Sequence, residues 1–308
     1  MFGMHAWRIA LVVVVAGGLV AGCADDAPPE RSASETSKPP AQAQPVVAFD
    51  DGFGIVYVMN LNGSGLEPIS PTGPNPAADG VYSADATVSP DGREVVYSGK
   101  DGLTKYTLSS GATHLIRADA LAGGPAYSAD GKRIAFLSGR TIYVMNSDGS
   151  NARAVVSGET PDDMEFTPTG DELIYSKNGY LVQIPIAGGE PRTVLRDRFF
   201  NSDPEYSPDG STLVFASNRG GNNGSELYAM PAKGGEITSL TKTYAVDPTF
   251  LPDGSRILYT RAVDSTKEPV NDLESSRQSQ VASMNPDGTD QRPLTPPNQA
   301  AQKPSAGG

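Results

Sequence analysis

The sequence predicts an all-β fold, a β-propeller of four-stranded antiparallel blades stacked around an axis, and three observations lead there. Glycine and proline, 34 and 26 of the 308 residues, recur along the whole length too often for long helices. The 38% hydrophobic share is at the same time too high for a disordered chain. A turn template also returns about every forty residues: Val88-Ser-Pro-Asp-Gly92, Tyr127-Ser-Ala-Asp-Gly131, Phe166-Thr-Pro-Thr-Gly170, Tyr206-Ser-Pro-Asp-Gly210 and Phe250-Leu-Pro-Asp-Gly254. Its glycines lie 39, 39, 40 and 44 residues apart, and an aromatic follows each by five positions (Tyr97, Phe136, Tyr175, Phe215, Tyr259).

The first element in chain order lies outside that repeat. Residues 1 to 22 carry one formal charge, Arg8, then the apolar run Ile9 to Ala16 and the small-residue stretch Gly17 to Gly22. A short basic start, an apolar core and small residues before a cleavage point are the layout of a secretory signal. The run is shorter than the ~20 apolar residues that a membrane-spanning helix needs. Val20-Ala21-Gly22-Cys23 resembles the bacterial lipobox, which implies that Cys23 carries diacylglycerol (and a palmitate-type third chain on its amine) and becomes the mature N-terminus. Two or three acyl chains make a stable anchor where one is marginal. The single cysteine of the chain is therefore assigned to lipidation.

Residues 23 to 45 form the lipidated Cys and a tether. From Ala24 to Pro45 there is no large apolar residue and there are five prolines, so this stretch cannot bury enough surface to offset its chain entropy. As a coil of 22 residues it spans about 25 Å. Removing the signal also removes Trp7, His5 and Arg8, which leaves 23 basic against 36 acidic residues, a net charge of −13.

Each repeat reads as one blade. A short strand ends before Ser/Thr-Pro-Asp-Gly, where proline sets φ and glycine supplies the positive-φ position that closes the hairpin. A second strand follows (Arg133 to Phe136, Thr212 to Phe215), then a third (Thr141 to Met145, Glu226 to Met230), a second turn and an outer strand such as Arg153 to Val156. Such a unit has two apolar faces and must stack on neighbours. Five full units (83–116, 124–156, 163–195, 203–240, 247–295) and a partial one at 46–70 make six blades over residues 46 to 295. The partial unit lacks an innermost strand, and Pro296 to Gly308 makes a poor one. The expectation is a three-stranded first blade and a disordered tail over 296–308.

The recurrent aromatic-Ser-Pro-Asp-Gly, with Phe215-Ala-Ser-Asn-Arg-Gly220 and Glu226-Leu-Tyr-Ala-Met230 in the fifth unit, resembles the TolB-like propeller family over roughly residues 46 to 295. The resemblance implies six blades. A WD-repeat propeller is excluded, since no Trp follows residue 7.

Candidate chemistry is sparse. Six positions before the third residue of each turn stand Asp85, Gly124, Asp163, Asp203 and Asp247, at the start of the innermost strands. Four carboxylates from different blades should therefore ring one mouth of the channel. Two readings stand: a cation or basic-peptide socket, with Ca²⁺ as the fitting metal, or a structural device in which each Asp accepts backbone N–H bonds or pairs with a neighbouring blade and so fixes where the strand enters. No other cofactor is expected. The net charge of −12 disfavours nucleic acid.

An enzyme is not expected. His114, the single imidazole of the mature chain, falls in an outermost strand, away from any pocket where acid-base work would need it. No Gly-x-Ser-x-Gly elbow is present, and Gly220 to Gly224 reads as a hairpin tip, not a phosphate loop. Tyr57, Tyr143 and Tyr228 read as packing between blades. The loops 71–80 and 261–277 break the repeat and are candidate recognition segments or plain length variation.

The functional expectation is an exported, monomeric, lipid-anchored module on the extracytoplasmic face of the cell membrane, or at the outer membrane if the cell has two. It would hold an envelope protein or peptide without catalysis. The alternative is a carbohydrate- or peptide-handling enzyme with its site at the channel mouth.

Overall fold

A computed structural model describes residues 45–71, 84–161, 163–221, 224–263 and 279–308. The signal, Cys23 and the tether lie outside them, as do most of the 71–80 and 261–277 loops. The described chain is a six-bladed propeller of six four-stranded antiparallel sheets.

Blade two shows the plan. Ala86–Val88 lies innermost, followed outward by Glu94–Gly99, Gly102–Thr107 and Ala112–Ala118, each hairpin-paired to the last. Blades three to six repeat it from inner strands Ala122–Tyr127, Met164–Phe166, Asn201–Tyr206 and Ala245–Phe250. The innermost strands of consecutive blades touch around a closed ring.

Blade one corrects the expectation of three strands and a disordered tail. Gln302–Gly307 pairs with Val46–Asp50 (Val46 with Gly307, Ala48 with Ser305) and supplies the missing inner strand, so the ring closes with a strand from the other end of the chain. Its small, polar composition looked wrong for a strand because strand propensity reflects packing. Here the strand faces a narrow channel on one side and the next blade on the other. A Cβ on Gly307 would collide with the Ser89 carbonyl oxygen, so a side chain there would block closure.

Six apolar clusters fill the six interfaces between blades. The aromatics five positions after the turn glycine are at their centres: Phe136, Tyr175 and Phe215 are fully buried. Tyr57 and Tyr143 stack on Phe49 and Phe136 of the facing strand in their own blade, at centroid distances of 5.6 and 5.3 Å, and Tyr228 lies tilted against Phe215 at 6.3 Å. Each such pair then packs on the adjoining blade. The Asn218-Arg-Gly220 turn of blade five is likewise a staple. Arg219 lies over Phe199, Phe215 and Tyr228 and pairs with Asp197 at 3.1 Å.

The turns behave as their residues dictate. In blade two the Gly92 N–H donates to the Ser89 carbonyl at 2.8 Å with φ of +67°, and the Ser89 hydroxyl donates to Asp91 at 2.7 Å. That bond holds the Asp91 carboxyl below its ordinary range.

Candidate functional site

The repeat brings the four predicted aspartates together. Asp85, Asp163, Asp203 and Asp247 line one cavity of about 270 Å³ at one mouth of the channel, with Gly124 at the blade-three position. The sixth position is Lys303, on the closing strand, which the sequence reading missed. The available signal was a shared dipeptide: Gly124-Pro125, Asp203-Pro204, Asp247-Pro248 and Lys303-Pro304. At these four positions the residue before proline has positive φ, from +49° to +56°. The inner strand shifts register there in blades three, five and six. A bulge of this kind re-aims a side chain, and here it turns the ring residue toward the cavity.

The ring is linked by hydrogen bonds from blade to blade. Asp203 Oδ2 accepts the Ser202 hydroxyl at 3.2 Å and, at the 3.5 Å limit, the Asp247 N–H. Asp247 Oδ2 accepts the Lys303 N–H at 3.3 Å, which Thr260 Oγ1 also accepts at 2.9 Å. The Lys303 ammonium donates to Asp85 Oδ1 at 2.5 Å, and Asp163 Oδ1 accepts the Met164 N–H at 2.9 Å. Three of the aspartates, Asp163, Asp203 and Asp247, thus accept backbone N–H groups.

A second layer follows two residues along each inner strand, on the same face. It contains Thr87, Ala126, Glu165, Glu205, Thr249 and Ser305. Glu165, Thr249 and Ser305 line both this cavity and the one at the opposite mouth. The two glutamates were not predicted, although strand alternation from Asp163 and Asp203 points to them.

Charge in this channel is costly. Desolvation, then the Asp247 charge, raises Asp163 to about 6. Desolvation and Asp163 raise Glu205 to about 8. Glu165, beside Glu205, and Asp203, beside Asp247, are pushed well above the carboxylate range by the same two causes. Behind the ring, burial raises Asp50 to about 7 against the pull of Lys303. Burial works against the Lys303 charge, but Asp85, Asp247 and Asp50 outweigh it and hold the ammonium protonated. Lys303 is the one cation among the described residues that line the cavity.

The carboxylates are strung one or two to a blade. Among the described residues, no three His, Cys, Asp or Glu side chains are grouped so as to hold a metal ion. Outside the ring, two apolar side chains stand exposed three residues before ring positions: Leu121 at 69% and Phe200 at 48%. The opposite mouth differs. Pro90, Ala129, Pro168, Pro208 and Pro252 of the turns rim a cavity of about 190 Å³. His114 lies exposed on the outer strand Ala112–Ala118, paired with Lys105.

The crystal structure of TolB from Acinetobacter baumannii matches this architecture with a TM-score of 0.68 at 17% identity, covering 85% of this chain and 66% of that one. In sequence, 190 residues are 24% identical to the Tol-Pal system protein TolB of Francisella tularensis subsp. mediasiatica, which is 56% of this chain and 43% of the relative. The chain carries a TolB-like six-bladed propeller. No family model matches it. A stretch of 106 residues, 34% of this chain, is 37% identical to the "uncharacterized peptidase YuxL" of Bacillus subtilis, of which it covers 16%. The chain thus spans less than half the length of either curated relative.

Proposed function

We propose that the TolB-like propeller is a non-catalytic binding module which seats a cationic segment of an envelope protein or peptide at its acidic mouth. One observation carries the reading: Asp85, Asp163, Asp203, Asp247 and Glu165 line one cavity with a single lysine among its described residues. A channel walled by low-dielectric blades focuses that field, so a guanidinium or ammonium from a partner gains more there than on an open surface. Leu121 and Phe200, exposed beside the ring, suit apolar residues flanking the partner's basic one. Spread carboxylates favour an extended side chain over a compact divalent ion, and a Ca²⁺ titration that saturated at one site would reverse that order. Anchorage through Cys23 on the extracytoplasmic side belongs to the same proposal. The lipobox-like residues and the similarity to a Tol-Pal system protein support it.

The test is calorimetric titration of the protein with a capped tri-lysine peptide, beside a tri-norleucine blank. Saturable binding is expected for the lysine peptide alone, weakened about tenfold by Asp163→Asn with Asp203→Asn, which corresponds to about 1.4 kcal/mol. Cys23→Ala should leave that affinity unchanged and move the protein out of the membrane fraction. No binding by the wild-type protein would remove the reading.

The second reading, an enzyme, has Glu165 and Glu205 in its favour. They are carboxyl groups on adjacent blades, both raised by burial and by neighbouring carboxylates, and Glu205 at about 8 suits proton transfer near neutrality. Turnover of an envelope polysaccharide or peptide, lost in Glu165→Gln, would establish it.

A further inference from the structure

The acidic mouth already contains a cation of its own. Lys303 stands where blades two, four, five and six place aspartate, and it arrives there on the strand that closes the ring. Its backbone N–H donates to Asp247 Oδ2 and Thr260 Oγ1, which fixes the stem. Next to it the Gln302 amide donates to Asp50 at 3.0 Å, which fixes the strand from the other side. The side chain is not sealed in the wall. The Lys303 side chain is 36% exposed and lines the same cavity as the aspartates while donating to Asp85.

This placement divides the ring. On the side of blades one, two and six, the Lys303 charge is set against Asp85, Asp247 and Asp50. On the side of blades four and five stand Asp163, Glu165 and Asp203, with no cation among the described residues lining the cavity there. Gly124 separates Asp85 from Asp163 on the blade-three side, and a Cβ at that position would meet nothing within 4 Å. The mouth therefore offers one half already neutralised, one half acidic, and an open notch between them.

We propose that Lys303 is a tethered competitor for the acidic mouth: its ammonium occupies the Asp85 half, so that a partner's cation is confined to the Asp163–Asp203 half or must displace it. The inference rests on the reading of the mouth as a cation-binding surface and adds a residue that sets both affinity and position. An intramolecular ligand competes at a fixed, high effective concentration, so removing it should release the whole ring to the partner. The same lysine also explains how a closing strand poor in apolar side chains is held, since its charge bridges blade one to blade two.

The experiment compares the wild-type protein with Lys303→Met, Lys303→Arg and Lys105→Met, each titrated with the capped tri-lysine peptide. Lys105 pairs with Glu94 in the Gly102–Thr107 strand and controls for the loss of one positive charge away from the mouth. The expected result is at least tenfold tighter binding by Lys303→Met, with Lys303→Arg and Lys105→Met within twofold of wild type. Equal affinities for Lys303→Met and Lys105→Met overturn the competitor and leave the acidic mouth standing as a site. Absence of binding by both wild type and Lys303→Met overturns both. A second measurement covers the case in which Lys303→Met fails to fold. In wild-type protein labelled with ¹⁵N-lysine, saturating peptide should shift the Lys303 ammonium signal and speed its hydrogen exchange as the Asp85 bond is contested. An unchanged signal at saturation overturns the proposal.

Discussion

The two mouths of the channel are built by the same six inner strands, yet they differ in what the repeat keeps constant. At the turn mouth the repeated residues are consumed within the turns. Ser128 and Ser207 donate to Asp130 and Asp209 at 2.6 Å, as Ser89 does to Asp91, and each turn glycine N–H closes on a carbonyl three residues earlier. Proline of one turn then lies against glycine of the next: the Cβ position of Gly131 is 3.6 Å from Pro90, and that of Gly210 is 3.7 Å from Pro168. At the acidic mouth the ring reads Asp85, Gly124, Asp163, Asp203, Asp247, Lys303, and its side chains share one cavity. Repetition in every blade marks a device of the fold, whereas departures from repetition give the mouth its chemical character.

The closing strand belongs to both mouths, with Lys303 at one and Gly307 at the other, and the largest effect is expected at the latter. Gly307→Val places side-chain atoms against the Ser89 carbonyl and the Val88 side chain. The strand must then move away, and with it the inner layer of blade one. The expected loss is about 3 kcal/mol or more, beyond ordinary overpacking because backbone and not a side-chain tip is struck. A denaturant melt measures it. A variant as stable as wild type would show that the ring closes without this strand.

The acidic mouth should instead be read through pH. Asp50, Asp163 and Glu205 have raised values in the folded protein, about 7, 6 and 8. Between pH 4 and 8 the unfolded chain releases these protons first, so the folded state binds more of them and stability falls as pH rises. This is opposite to the usual behaviour of paired carboxylates, and the Glu205 share of the loss is still in progress at pH 8. Asp50→Asn, which removes a buried charge with one unpartnered oxygen, should gain about 1–2 kcal/mol at pH 8 and little at pH 4. Melting temperatures across that range check it, and a flat profile in the wild type would mean the channel carboxyls titrate as in water.

How much of each mouth could be read in advance follows from the same contrast. The turn mouth was legible because turn chemistry is local: proline and glycine fix their own dihedrals wherever they stand. The four aspartates were legible because the turn sets the count back to the start of each inner strand. Lys303 was not, since no turn template follows it and Gln302 to Gly307 carries no apolar run; pairing with Val46–Asp50 makes it a strand. Glu165 and Glu205 were within reach of simple alternation, but their raised pKa values come from neighbouring blades that no local pattern reveals. Tyr57 and Tyr143 read correctly as packing between blades, but their stacking on Phe49 and Phe136 of the facing strand depends on a cross-strand register that no local pattern reveals.

The smallest expected effect tests whether Gly124 is a vacancy in the ring or a requirement of the strand. Its φ of +56° is a left-handed conformation that favours glycine, yet Asp203 and Asp247 adopt +49° and +51° at the equivalent positions, each before a proline as Gly124 is. Aspartate tolerates this region better than most residues. The Cβ of Gly124→Asp would meet nothing within 4 Å, so the steric cost is absent and the backbone cost is about 1 kcal/mol. The new carboxylate would stand between Asp85 and Asp163 and extend the acidic half toward the Lys303 pair. Binding of the tri-lysine peptide should tighten two- to threefold, with a slightly steeper salt dependence, while the melting temperature falls by a few degrees. A severe loss of stability would instead show that blade three needs glycine at this bend, and the ring's one gap would then be a constraint of the fold with no bearing on the partner.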